Sequence, residues 1–202
     1  MKLKLTKLER AWIMYDIGNS AFVLLVATII PIYFNYLADM KNISSSNYLA
    51  YWGYATSVAT LIVAVIGPIF GTVADTKNMK KKIFMACLMV GTISCAVLGL
   101  ITHWLVFLVI FVIAKVGFSS SLVFYDAMLT DVTTEERMDD VSSQGYAWGY
   151  IGSCIPFIIG LCLVLFGDKF GLSMQMSMAI TFLITAIWWF AITLPLLEQY
   201  KQ

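Results

Sequence analysis

Charge is the property in which this sequence is poorest. Only 12% of its 202 residues are Asp, Glu, Lys or Arg, whereas 60% are hydrophobic. An ordinary soluble domain carries about 25% charged residues and is about half apolar. A chain this apolar cannot bury its excess apolar surface inside one water-facing globule, so lipid must form part of its solvent. The composition therefore excludes a soluble enzyme.

Other classes are excluded by further shortages. The formal net charge is only +1, so no nucleic-acid partner is expected. There is one histidine, and the four cysteines fall within apolar runs without the spacing of a metal site or a disulfide framework. The basic N-terminus lacks the short apolar core and small-residue site of a cleavable signal peptide. With no nucleotide-binding loop or nucleophile elbow, we expect neither an enzyme nor a cofactor.

Long apolar runs are abundant. A bilayer core requires about 20 apolar residues per helix, and six runs meet that requirement. They cover residues 17–37, 50–73, 83–102, 104–128, 146–166 and 174–197. The sequence therefore predicts an all-α membrane protein, a single bundle of six transmembrane helices covering residues 1–202.

The basic residues are distributed unequally between the two sides of these spans. Ten of them fall on one side: Lys2, Lys4, Lys7, Arg10, Lys77, Lys80, Lys81, Lys82, Arg137 and Lys201. Only Lys41 and Lys169 fall on the other side. Because cytoplasmic loops are enriched in Lys and Arg, both termini are predicted to be cytoplasmic, in a plasma or inner cell membrane.

Two ionisable residues lie inside the fourth predicted span. An ionisable group there is costly, so each requires a reason. Lys115 and Asp126 are eleven residues apart, which places them on the same helix face but roughly 16 Å apart along the axis, too far to pair directly. Each is expected to face another helix, a substrate or water. The alternative is that Lys115 is neutral, or is paired with an acid purely for assembly.

A second polar pair opens the first span. Asp16 and Asn19 are three residues apart and so share a helix face. They are candidates for substrate binding or coupling. The alternative is that Asp16 is a carboxylate stabilised by the positive end of the helix dipole.

Glycines spaced four apart occur in the second and fifth spans. Gly67 and Gly71 form one pair, and Gly145 and Gly149 form another, followed by Gly152. This spacing lets the backbones of two helices approach closely. In the acidic connection before the fifth span, Thr133 and Glu136 have the spacing of a capping box, which predicts the start of a short helix.

The turn after the second span resembles the signature loop of the major facilitator superfamily. It combines Gly71, Asp75 four residues later, and a basic cluster of Lys77, Lys80, Lys81 and Lys82. The loop falls between the second and third predicted spans, on the predicted cytoplasmic side. An ordinary positive-inside loop would explain the lysines but not Gly71 and Asp75 together.

Three further segments resemble one branch of that superfamily, the vacuole-effluxer-like transporters, which include autophagy-related amino-acid exporters. They are residues 11–22, 122–127 and 142–152. Two positions depart from that branch. Asp126 stands where an amide is expected, and Lys115 stands where a small or neutral polar residue is expected, which suggests a changed substrate or coupling site.

The resemblance implies a transporter of two six-helix bundles, of which this chain supplies the amino-terminal one. The cavity would lie between the bundles and be lined partly by the first and fourth helices. The second and fifth helices, with Gly67, Gly71, Gly145, Gly149 and Gly152, would meet the other half. That half would be a missing part of the same chain, a second copy or a separate subunit.

The function that follows is secondary active transport of a small polar solute, such as an amino acid or a related metabolite, by alternating access. Asp16 and Asp126 would be the protonatable acids if transport is coupled to protons, and Lys115 would supply charge at the level of the substrate. Asp75 and the lysine loop would stabilise one conformation. The alternatives are a membrane subunit that assembles without transporting and an inactive fragment of a full transporter.

Overall fold

Six long helices form the fold. The computed structural model describes residues 4–76 and 78–202, and no β-strand occurs among them. The helices are α1 (Lys7–Asp39), α2 (Ser45–Ala74), α3 (Lys80–Leu98), α4 (Trp104–Val132), α5 (Met138–Phe166) and α6 (Met174–Gln199). In the described part of the chain, all six are long and apolar enough to cross a membrane, which confirms the prediction of six spans.

Several helices extend beyond their apolar runs because polar residues continue or cap them. α1 begins ten residues before the predicted span, where Thr6 and Glu9 form a reciprocal capping box. Ser44 caps α2 and Ser173 caps α6, each accepting a hydrogen bond from a backbone N–H three residues later. Within α1, a π-helical turn spans Leu25–Ile29, just before Pro31, whose missing N–H interrupts the regular bonding pattern.

The helices pack around α1 and α4. α1 lies against α5 and α6, while α4 lies against α2 and α3. The α3–α4 crossing is close because both helices have glycine there: a Cβ on Gly117 would lie 2.6 Å from the backbone nitrogen of Gly91. The indole of Trp189, fully buried, fills the space beside this crossing and packs on Phe22 and Phe118.

The up-and-down path brings four parts of the chain to one end of the bundle, which we call the terminal end. The side chain of Gln202 donates to the carbonyl of Ala74 at the end of α2, at 3.1 Å. Arg137, just before α5, donates to the carbonyl of Lys4 near the N-terminus, at 3.2 Å. All the basic side chains that the sequence assigned to one side, among those described, therefore lie at this end, with Lys41 and Lys169 at the other.

Candidate functional site

A cavity of about 230 Å³ opens between α1, α4 and α5. It is well above the 10–15 Å³ that holds one water molecule. Its walls contain carboxylates, hydroxyls and aromatic rings. The lining residues are Trp12, Asp16, Asn19, Ser20, Val23, Leu24, Phe118, Leu122, Tyr125, Asp126, Ser142, Tyr146, Tyr150 and Ser153. Three of the four predicted substrate or coupling residues, Asp16, Asn19 and Asp126, are therefore brought together.

Helix α1 supplies the polar pair. Asp16 and Asn19 lie on one face, as their spacing predicts, and Asn19 Nδ2 donates to Asp16 Oδ1 at 3.4 Å. Asn19 is buried and Asp16 is half-buried. This hydrogen bond is long, and Asp16 has no cationic partner among the described residues. Its charge is therefore left available to a bound group.

Helix α4 supplies Tyr125 and Asp126. The Tyr125 ring stacks on Trp12 with ring centroids 4.2 Å apart, and Trp12 Nε1 donates to the Tyr125 carbonyl at 3.1 Å. These contacts fix the end of α4 against α1. Asp126 is exposed on the surface of the chain and receives no hydrogen bond from any described residue. The cavity thus opens outward beside a free carboxylate.

The hydroxyl of Tyr125 is an exception to the general pairing of buried polar groups. The residue is 3% exposed, yet its oxygen has no hydrogen-bond partner in the described part of the chain. A buried hydroxyl without a partner carries a desolvation cost of about 1–3 kcal/mol. Tyr125 is also one of the residues that line the cavity.

The glycines of α5 bring that helix onto α1. A Cβ on Gly145 would lie 3.0 Å from the Trp12 ring, and one on Gly149 would lie 3.0 Å from Ser20 Oγ. Gly152 faces the side chain of Ile17. These three glycines, predicted to meet a second half, instead allow close packing inside the bundle. Gly67 and Gly71 have open space on the corresponding side, so the expectation of an interface with another half now depends on those two.

Lys115 is not among the cavity-lining residues. Its Nζ lies 5.9 Å from the ring centroid of Phe118, one of the residues of the wall. It forms no hydrogen bond or ion pair with a described residue, and the side chain is half-buried. The structure therefore places Lys115 beside the cavity, separate from the carboxylates.

The aromatic and hydroxyl residues of α5 were missed as site residues. Ser142, Tyr146, Tyr150 and Ser153 all line the cavity. They recur every three or four residues, which is the spacing of one helical face. That periodicity is present in the sequence and is the signal that could have identified these residues.

The signature loop is engaged at the terminal end, in a group of contacts that we call the lysine cluster. The buried Lys80 pairs with Asp131 at 2.7 Å and donates to the Ala127 carbonyl at 3.1 Å. Lys81 donates to the Tyr200 carbonyl at 3.1 Å, and the Tyr200 hydroxyl donates to Asp131. These residues therefore join α3 and α4 to the end of the chain.

The other loop residues have different positions. Asp75 and Lys82 are exposed and form no side-chain hydrogen bond with a described residue. Gly71 faces open space. The prediction for Lys77 lies outside the described residues.

A second group of contacts at the terminal end, the glutamate cluster, was not predicted. The buried Glu9 receives two hydrogen bonds from Arg137, at 2.7 and 3.0 Å. Thr133 Oγ1 donates to the same carboxylate at 2.7 Å. The expected capping box at Thr133 is therefore wrong, because Thr133 bonds to Glu9 of α1. The expected short helix in this connection is present as a 3₁₀ helix, Glu135–Arg137. The capping box of α1 itself, Thr6 and Glu9, was the sequence signal that marked this glutamate.

Comparison with known proteins agrees with this architecture. The profile of the family described as "Vacuole effluxer Atg22 like" matches residues 41–201. The whole chain is similar to the uncharacterized MFS-type transporter YxiO of Bacillus subtilis (strain 168), with 40% identity over 207 aligned residues. The chain spans about half, 48%, of the length of that relative. No solved structure matches. Because the family profile covers most of the chain, this multi-pass membrane protein belongs to the vacuole effluxer Atg22-like family of major-facilitator-type transporters.

Proposed function

We propose that this chain carries out secondary active transport of a small polar solute by alternating access, as one half of an assembly of two six-helix bundles. The observation that carries the proposal is the cavity between α1, α4 and α5. It brings two carboxylates without cationic partners among the described residues to one place within a membrane-spanning bundle. Intramembrane ionisable residues that face a cavity are typical of substrate and proton pathways.

The half-assembly is supported by what the bundle leaves uncovered. α2 is the least buried of the six helices, and Gly67 and Gly71 on it face open space. The opening of the cavity at the exposed Asp126 and Tyr150 also points away from the bundle. The relative is about twice as long as this chain. A second bundle, in the same chain, in a second copy or in another subunit, would cover these surfaces.

Within this proposal the residues have separate roles. Asp16, Asn19 and Asp126 contact the solute or take up coupled protons. Lys115 supplies a positive charge beside the cavity, where it acts on coupling or contacts the second half. Gly71, Asp75 and Lys82 contact the other bundle in one conformation, because these loop residues are not engaged by described residues of this bundle.

We also propose that both termini are cytoplasmic. The described basic side chains are concentrated at the terminal end, which is the distribution found on the cytoplasmic side. Fusions of green fluorescent protein and of alkaline phosphatase to Gln202 test this orientation in cells. We expect fluorescence without phosphatase activity; active phosphatase would reverse the orientation.

The transport proposal is tested by flux into proteoliposomes, with ¹⁴C-labelled L-amino acids, ¹⁴C-choline and ¹⁴C-n-butylammonium as probes and an imposed pH gradient. The variant Asp126→Asn is compared with Asp139→Asn, an exposed aspartate in the first turn of α5 that lies outside the cavity. We expect uptake of at least one probe, reduced at least tenfold by Asp126→Asn and unchanged by Asp139→Asn. Native mass spectrometry of the same protein in nanodiscs gives the number of chains present.

The outcomes separate transport from assembly. Uptake that is equal for wild type and Asp126→Asn would contradict the role of the cavity. If Lys115→Ala lowers the number of associated chains in proportion to any loss of uptake, the chain is an assembly subunit. Loss of uptake with the assembly intact supports transport.

A further inference from the structure

The cavity has a marked imbalance of charge. Among the described residues that line it, two are carboxylates, Asp16 and Asp126, and none is Lys, Arg or His. Lys115 Nζ lies 5.9 Å from the Phe118 ring centroid, and Lys115 is not one of the lining residues. An anionic solute would therefore meet two negative groups and no cationic partner from this bundle. The electrostatics of the wall favour a positive solute.

The remainder of the wall suits an organic cation. Five aromatic rings line the cavity, belonging to Trp12, Phe118, Tyr125, Tyr146 and Tyr150. The faces of such rings attract ammonium groups, and their edges and faces also pack against hydrocarbon. An alkali-metal ion could bind the carboxylates. It would gain little from the aromatic rings, because contact with them requires the ion to lose water molecules that the rings do not replace. The aromatic content thus distinguishes an organic ammonium from a metal ion.

The unpartnered hydroxyl of Tyr125 is an independent indication of a ligand. Tyr125 Oη lies 3.5 Å, and Asp16 Oδ2 lies 3.3 Å, from the point that a Cβ of residue 145 would occupy. Both oxygens thus lie beside Gly145 and near each other, although the Cβ point itself is one bond length from the Gly145 Cα and cannot hold a ligand atom. Because an N–H···O bond spans about 2.9 Å and an ammonium carries several N–H donors, one ammonium could donate to both oxygens.

We propose that the solute of this cavity is a small primary ammonium compound without a carboxylate. Its ammonium donates to Asp16 and to the Tyr125 hydroxyl, with Asp126 as the second negative charge at the opening. Its short apolar part packs against Trp12 and the tyrosines of α5. This inference rests on the proposed function, because it names the class of solute for the same site.

The test measures binding of four matched probes to the chain in phosphatidylcholine nanodiscs, by tryptophan fluorescence and by thermal midpoint. The probes are n-butylammonium, 1-butanol, butyrate and norvaline, which is n-butylamine with a carboxylate on its first carbon. We expect saturable binding of n-butylammonium, with at least tenfold weaker binding of the other three. Sodium chloride at equal ionic strength should not compete.

Two variants locate the site. Asp16→Asn should raise the Kd for n-butylammonium at least tenfold. Tyr125→Phe should raise it about three- to tenfold without lowering the thermal midpoint, because the hydroxyl bonds to no described residue. Tyr54→Phe, on an exposed part of α2 outside the cavity, is the matched control and should leave the Kd unchanged.

Every other outcome overturns the inference. Equal binding of 1-butanol would show a merely apolar pocket, tighter binding of norvaline would show an amino-acid site, and competition by sodium would show a metal site. An unchanged Kd in Tyr125→Phe would remove the hydroxyl from the site. The result is separable from the transport proposal: binding of n-butylammonium without any flux would contradict transport alone, whereas flux of amino acids without binding of n-butylammonium would contradict this inference alone.

Discussion

The carboxylates of this protein occur in two contrasting settings. At the terminal end, Glu9 pairs with Arg137 through two hydrogen bonds, and Asp131 pairs with Lys80 at 2.7 Å. In the cavity, Asp126 has no hydrogen-bond donor, and Asp16 has only a long contact from Asn19, among the described residues. The paired carboxylates are thus at the ends of the helices, where a charge costs less free energy than it does within the span. The carboxylates without a cationic partner lie farther along the helices.

This difference separates structural acids from functional ones. A carboxylate whose oxygens already accept hydrogen bonds from side chains of its own bundle has few acceptor positions left for a ligand. A half-buried carboxylate in a membrane-spanning bundle that is not paired with a cation, such as Asp16, costs free energy, so its presence calls for a bound group or a proton. The glutamate and lysine clusters therefore stabilise the bundle, whereas Asp16 and Asp126 line the cavity, and we propose that they act on the solute or on coupled protons.

The largest effect on stability is expected from Glu9→Ala. The change removes the acceptor for Arg137 and Thr133 and breaks the capping box of α1. Breaking a buried pair costs about 3–5 kcal/mol, and we expect a loss of about 2–3 kcal/mol here because the Arg137 side chain is partly exposed. Sodium dodecyl sulfate titration of the purified chain in mixed micelles, followed by tryptophan fluorescence, measures the free energy of unfolding.

Glu135→Ala is the matched control, since this exposed residue makes no side-chain hydrogen bond to a described residue. It should change the free energy of unfolding by less than about 0.5 kcal/mol. In a double-mutant cycle, Glu9→Ala and Arg137→Ala together should cost less than the sum of the single changes. Additive losses would mean that the pair does not hold α1 against the segment before α5.

The sequence was sufficient for the architecture because bilayer thickness imposes a length on every span. Six apolar runs became six helices, and the basic loops fell at one end. It also predicted that Asp16 and Asn19 share a face, since helical spacing alone determines this. Contacts between distant segments follow no such local rule. Gly145 was expected to face a second half but packs on α1, and the bond from Thr133 to Glu9 was not predicted. Both contacts depend on how whole helices pack.

The smallest effect on stability is expected from Asp126→Asn. The difference from Glu9→Ala tests directly whether the carboxylates of the two regions differ in their role. The amide has nearly the same shape, and no described residue donates to the carboxylate that it replaces. Because Asp126 is exposed on the surface of the chain and has no ion pair with a described residue, removing its charge costs nothing in lost pairing. We therefore expect a change of less than about 0.5 kcal/mol in the same detergent titration. A loss comparable to that of Glu9→Ala would show that Asp126 has a structural partner and belongs with the paired acids. Unchanged stability together with lost uptake would show that Asp126 is needed for transport and not for folding. The partner that the bundle does not supply to this carboxylate would then be the solute or a proton.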